Sequence, residues 1–170
     1  EWCQLRVLSA KSTDFFGHCR RVANSGDQRL MSLVRAAIRA EAIATITAAL
    51  GLPAGRVTGV RSYPYNTDNL PAVMISTPAH VRESADKDLD FVGSIDLAVM
   101  VLGAGTDGIE DDLDAIAHTI ETVVVQSAAL QALHSGVVEI RTTFQAGDGG
   151  EKRPARMEII FTLLVIEDAS

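Results

Sequence analysis

The stretch VVEIRTTFQAGDGGEKRPARMEIIFTLLVI, residues 137–166, decides the fold. In its first part Val138, Ile140 and Phe144 face one way while Glu139, Arg141 and Gln145 face the other. That period of two marks a half-buried strand. The alternation returns after Arg156, with Met157, Ile159, Phe161, Leu163 and Val165 on one side. Between the two runs, AGDGGEKRP (146–154) is rich in glycine and charge and too long for a tight turn. The spacing therefore predicts an antiparallel hairpin with an extended tip. A lone hairpin is only marginally stable in water, so the rest of the chain must supply more strands and a covering layer.

Upstream, FVGSIDLAVMVL (91–102) reads as another strand, with Phe91, Ile95, Leu97, Val99 and Val101 on one side and Ser94 and Asp96 on the other. GAGTDG (103–108) then leads into a helix. Ile109, Leu113, Ile116, Ile120, Val123 and Val124 follow the three-and-four spacing of an amphipathic helix. Glu110, Asp111, Asp112 and Asp114 crowd its first turns, where the helix dipole favours negative charge. Ser127 is placed to cap a second short helix, SAALQAL (127–133), closed by His134-Ser135-Gly136.

Nearer the start, LVRAAIRAEAIATITAAL (33–50) is rich in Ala and Leu, with Ser32 as its expected N-cap and Gly51 and Pro53 ending it. Arg35 and Arg39, four apart, share its polar side. GRVTGVRSY (55–63) and LPAVMIST (70–77) are expected strands, the second with Val73 and Ile75 on one face. YPYNTDN (63–69) between them is turn-rich. HVRESADKDLD (80–90) is so densely charged that it is expected to be a solvated loop or hairpin arm. A helix, two or three strands, two helices and a terminal hairpin amount to an α+β fold. Its sheet is mixed and mostly antiparallel, with helices packed on one face and a C-terminal β-hairpin.

The chain has 170 residues, a size that suits one domain with one core. Hydrophobic residues make up 47%, which excludes a wholly disordered chain, and with aromatics at 5% the core must be aliphatic. The formal net charge of −7 argues against a protein whose task is gripping nucleic-acid phosphate. No run approaches the length of a membrane span, and the first residues lack the apolar stretch of a signal peptide, so the expected compartment is the cytoplasm. Residues 1–30 stand apart. They carry five basic against three acidic residues, leaving ten against nineteen in 31–170, and they hold Trp2, Cys3, Cys19 and Phe15-Phe16 with no sustained period. They read as an extension ahead of a start at Met31, or as a basic arm that docks on a partner. Two cysteines are too few for a disulfide framework, and free thiols are expected.

Chemistry-bearing motifs are scarce. Gly103-Ala-Gly105-Thr-Asp-Gly108 is a literal G-x-G-x-x-G between a strand and a helix, the context of a dinucleotide site. Glu110, Asp111 and Asp112 occupy the turn where a pyrophosphate would sit, and carboxylates within ~4 to 8 Å would oppose it by several kcal/mol. A structural turn is therefore the expected role. Asp107, Glu110, Asp111, Asp112 and Asp114 invite a divalent cation, but they lack calcium-loop spacing, and an acidic helix start explains them equally well. His80, His118 and His134 have no partner at ligand or triad spacing, and no G-x-S-x-G, Ser-x-x-Lys or H-E-x-x-H is present. The expectation is a protein with no catalytic set, no cofactor and no resident metal.

Several segments resemble the tail terminator proteins of long, non-contractile-tailed bacteriophages, the lambda type of minor tail protein. LVRAAIRAEAIATITAAL is similar to that family's first helix. NLPAVMIST (69–77) resembles its Phe-Pro-Ala-Val strand, with Leu70 in place of the aromatic. DLDFVGSIDLAVMVLGAG followed by IEDDLDAIAHTIETVVVQSAALQALHSGV resembles its strand, acidic helix start and paired helices. GDGGEKRPAR and MEIIFTLLVIED resemble its closing hairpin. The resemblance covers residues 31–168.

It implies a homo-oligomeric ring, typically a hexamer, that caps the tail tube at the head-proximal end of the virion, ends polymerisation and offers a surface for head-tail joining. The implied partners are further copies of the chain, the tail tube protein and a head-side connector protein. DNA would pass through the pore without specific binding, past a wall of surplus negative charge. Assembly would take place in the host cytoplasm. A ring needs heterologous contacts. The charges available for them, or for contacts to the tube, are Asp107, Glu110, Asp111, Asp112, Glu139, Arg141, Lys152, Arg153 and Arg156. The segments 80–90 and 146–154 are candidates for ordering on docking. A connector or neck protein of the same virion is the alternative. A dinucleotide-binding enzyme using Gly103–Gly108 is a more distant one.

Overall fold

The computed structural model describes residues 27–60, 66–84, 91–105, 108–147 and 153–167. In chain order its elements are helix α1 (Asp27–Leu50), strands β1 (Val57–Gly59), β2 (Ala72–Ser76), β3 (His80–Ser84) and β4 (Phe91–Gly105), helices α2 (Ile109–Gln126) and α3 (Ala128–Gln131), and strands β5 (Gly136–Ala146) and β6 (Arg153–Glu167). The six strands form one sheet in the order β1-β2-β4-β6-β5, and β3 continues the line of β2 along β4. Only β1 and β2 run parallel. The fold is thus α+β, with a mixed, mostly antiparallel sheet and a closing β5–β6 hairpin, as the alternation in 137–166 demands.

The backbone of the sheet is the β4–β6 pair, in register over fifteen positions from Phe91↔Glu167 to Gly105↔Arg153. On the inner face of β4, Ile95, Leu97, Val99 and Val101 are buried, facing Met157, Ile159, Phe161, Leu163 and Val165 of β6 in the same layer. The helices cover this face. Ile38, Ala42 and Ile46, spaced by four, come from α1. Leu113, Ala117, Ile120 and Val124 come from α2. Each large aliphatic or Phe161 fully removed from water contributes about 1.5–3 kcal/mol, so this single layer accounts for the core.

Two expectations need correction, and one open alternative is decided. α1 begins at Asp27 and runs through Ser32, so Ser32 lies inside the helix and is not its N-cap. Of the loop and the hairpin arm expected for 80–90, His80–Ser84 is the hairpin arm: it pairs antiparallel with β4 from His80↔Ile95 to Ser84↔Phe91. Its charged side chains are compatible with a strand because β3 lies at an edge, where one flank and one face meet water. Third, Val138, Ile140 and Phe144 do not form a half-buried face of β5: Ile140 is 42% exposed, and only Phe144 is half-buried. The β5–β6 register shifts between Val137 and Glu139, and Val138 is 65% exposed. One extra residue at a bulge takes a side chain out of the alternation. The expectations for Cys3, Cys19 and Phe15-Phe16, and for the loops at 85–90 and 148–152, lie outside the described residues.

Candidate functional site: the open sheet face and the β5 edge

All three helices pack on one side of the sheet, so among the described residues its other face carries no cover. The strand registers define that face. Met74, Met100, Glu158 and Thr143 form one row across β2, β4, β6 and β5; Ser76, Ala98, Ile160 and Arg141 form the next. Asp96, Thr162 and Glu139 follow, and Val81, Ser94 and Leu164 beyond them. Apolar and charged side chains are therefore interleaved. Val81 and Ile166 are more than half exposed, while Met74, Met100, Ile160 and Leu164 are half-buried by their neighbours alone. A sheet face of this kind is chemically suited to docking: the apolar atoms supply area, and the polar rows set register.

The polar rows are organised. Thr162 Oγ1 donates to Asp96 Oδ1 at 3.0 Å across β6 and β4. On β5 the Arg141 guanidinium donates to Glu139 Oε1 at 2.9 Å. That hydrogen bond, the charge of Glu139 and the more distant charge of Asp96 raise the Arg141 pKa. Arg156 donates to Gln145 Oε1 through Nε at 2.8 Å and again through a second guanidinium nitrogen. A 270 Å³ depression beside this pair is lined by Leu102, Gln145, Gly147, Pro154 and Arg156. On the helix side, Thr142 Oγ1 donates to Glu121 Oε1 at 2.8 Å, pinning β5 to α2.

The sequence-derived contact residues separate into two groups. Glu139 and Arg141 are paired on the open face of β5, and Arg156 lies on the same face nearer the hairpin tip, opposite Gln145. Glu110, Asp111 and Asp112 are exposed on the first turn of α2, at the end of the molecule where β4 finishes. The two groups belong to different surfaces. Asp107 and Lys152 lie outside the described residues, as does the side chain of Arg153. Sequence reasoning missed the apolar half of the open face. The signal was present in IIFTLLVI (159–166), an apolar run broken only by Thr162 and more typical of a strand covered on both faces.

The glycine motif has a packing role. A Cβ at Gly103 would meet Leu113 Cδ2 and Ile109 Cδ1 at 3.1 Å, and one at Gly105 would meet Ile109 Cδ1 at 3.1 Å. The first turn of α2 thus fills the space against which a dinucleotide backbone would have to lie. Gly108 has φ +91°, a left-handed conformation that turns the chain into α2. Among the described residues no three histidine, cysteine or acidic side chains converge on a point that would hold a metal ion. No described helix is long and apolar enough to cross a membrane.

Arg35 and Arg39, read from the sequence as a polar face of α1, act instead as anchors. Arg39 donates to Thr77 Oγ1 at 3.0 Å, and Arg35 donates to the Thr77 carbonyl. They hold α1 to the junction between β2 and β3. His80 in β3 has its pKa lowered by burial and by the charges of Arg82 and Arg35. His134 is lowered by burial, against a hydrogen bond at the Gly136 backbone that raises it. Both are placed as structural imidazoles.

No protein-family model matches the chain, and no curated protein matches it by sequence. Its structure is similar to a chain described as "Virion of native gene transfer agent (GTA) particle", at 13% identity and a TM-score of 0.43, covering 74% of this chain and 94% of that one. A likeness of that strength bears on neither fold nor function.

Proposed function

We propose that this chain is a virion structural protein of the tail-terminator type, assembling as a homo-oligomeric ring that caps a tail tube and presents a surface to the head-side connector. The observation that carries the reading is the division of the molecule into a helix-covered face and an open face of interleaved apolar and charged rows. The acidic start of α2 forms a second, separate surface. Surfaces of unlike character on one subunit are what a heterologous, ring-closing contact requires. The segments on which the resemblance to the terminator family rests form strands and a helix start in this chain: NLPAVMIST holds β2, DLDFVGSIDLAVMVLGAG holds β4, the acidic IEDD opens α2, and MEIIFTLLVI lies in β6.

On this reading the polar groups serve docking and not bond-breaking. The packing of Gly103 and Gly105 against α2 supports the same view, since it leaves the glycine motif a structural task. The surplus of acidic over basic residues would let DNA pass a pore without adhesion.

The test is mass by light scattering, alone and with magnesium, followed by mixing with the tube subunit and negative-stain imaging. A ring that binds tube ends and halts their growth supports the proposal. Tubes that keep elongating in its presence overturn it, and binding to empty heads without arresting tubes would assign the chain to the neck instead.

A further inference from the structure

Among the described residues β5 is the terminal strand on its side of the sheet, and its outer edge runs for eleven residues. An edge of that length offers a ladder of N–H and C=O groups to any strand that can lie alongside. This one is also unusually bare, with Val138 65% and Ile140 42% exposed.

The centre of β5 is complementary to itself. Glu139 and Arg141 flank Ile140 and both point to the open face, their side chains more than half exposed. Two β5 strands meeting antiparallel about a two-fold axis at Ile140 would place Glu139 opposite Arg141 of the second copy, and Arg141 opposite its Glu139. The four charges would then alternate in sign around a square, each held by a same-strand and a cross-strand partner. Ile140 would face its own copy, bringing the exposed apolar atoms of the two side chains together at the axis. Directly opposed residues in such a pair have Cβ atoms about 4.5–5.5 Å apart, close enough for all of these contacts. A register centred on Thr142 is disfavoured. Thr142 holds the Glu121 carboxylate, so the two copies would bring like charges to the axis.

We propose that two copies of this chain associate through their β5 edges in the register centred on Ile140, extending the sheet across a symmetric dimer. The contact stands on β5 alone and is separate from the ring, because an isologous pair closes on itself and does not propagate around a circle.

The experiment uses the whole chain and two single variants, Arg141→Glu and Glu139→Arg, with mass measured by light scattering over a concentration series. Below the concentration at which a ring closes, the wild type is expected to reach twice the one-chain mass. Each variant alone places like charges opposite one another, and its association should weaken by about tenfold or more. An equimolar mixture of the two variants restores both opposite-charge pairs, and the two-chain mass should return. Hydrogen exchange at residues 139–142 should slow with concentration in the wild type and in the mixture, and in neither variant alone; circular dichroism checks that all chains are folded. A wild type that stays at the one-chain mass overturns the proposal, as does association that survives Arg141→Glu, or variants that fail to rescue each other. A ring unaffected by the exchange would reject β5 pairing while leaving the terminator reading in place. A rescued dimer that ignores tube subunit would do the reverse.

Discussion

Arg39 reaches from the middle of α1 to donate to the hydroxyl of Thr77 at 3.0 Å, and Thr77 is 3% exposed. The threonine also accepts from Arg35 through its carbonyl, so one buried residue between β2 and β3 is the point at which the first helix is fastened to the sheet. Replacing Thr77 by Val keeps the shape and removes the acceptor for Arg39. A half-buried guanidinium left without its partner costs about 1–3 kcal/mol. Urea unfolding should report a loss in that range, and Thr77→Ser should recover most of it by restoring the hydroxyl.

Gly103→Ala tests the contact between β4 and α2. The added methyl would lie 3.1 Å from both Ile109 Cδ1 and Leu113 Cδ2, and overpacking of this kind costs about 1–3 kcal/mol. Leu113→Ala empties a core site and is itself destabilising, but the double variant should lose less than the sum of the two single losses, since the smaller residue makes room for the methyl. A thermal-shift titration with NAD, FAD or ATP should leave the wild-type melting temperature unchanged. Ligand-induced stabilisation that Gly103→Ala abolishes would contradict the packing role assigned to these glycines.

Ser127 Oγ accepts from the Leu130 amide at 3.3 Å and starts α3 directly after α2 ends. Ser127→Ala should cost about 0.5–2 kcal/mol, as expected for loss of an N-cap. Ser127→Asp should be nearly neutral. Differential scanning calorimetry on the three proteins would separate these outcomes.

Stability should fall in mild acid. His80 and His134 both have folded pKa values below the ordinary 6.5. Between each folded value and 6.5 the unfolded chain binds more protons, so stability rises with pH. It is therefore complete above 6.5 and declines as the pH drops toward the folded values. The groups facing His80 are Arg82 and Arg35, both cationic, and they add to burial in disfavouring its protonation. His134→Gln should flatten part of the slope in a series of denaturation midpoints, and His80→Gln a further part.

What the sequence made legible followed from how many faces each segment buries. β4 and β6 have one continuous buried face, and their alternation in FVGSIDLAVMVL and RMEIIFTLLVI points Ile95, Leu97, Val99 and Val101 and the residues from Met157 to Val165 at alternate positions inward, as the structure has them. β3 was legible only as one of two alternatives, loop or hairpin arm, because HVRES has no apolar face to alternate; pairing with β4 makes it a strand. The start of α1 was misplaced because Ser32 is a good cap by type, yet the helix continues back to Asp27. At the candidate site, Glu139, Arg141 and Arg156 were visible as the polar side of a hairpin. Their neighbours Met74, Met100, Ile160 and Leu164 were not, because which strands lie side by side is a property of topology.

Strand order also has a consequence for how the chain is made. Of the six described strands, β6 emerges last from the ribosome, yet it lies between β4 and β5 and supplies Phe161 to the core. Until residues 153–167 arrive, β4 has one long flank empty and β5 has no neighbour at all. Vectorial synthesis therefore cannot complete this sheet step by step. A nascent chain halted before residue 153 would display a greasy β4 with one edge open, the kind of surface that chaperones bind and that aggregates.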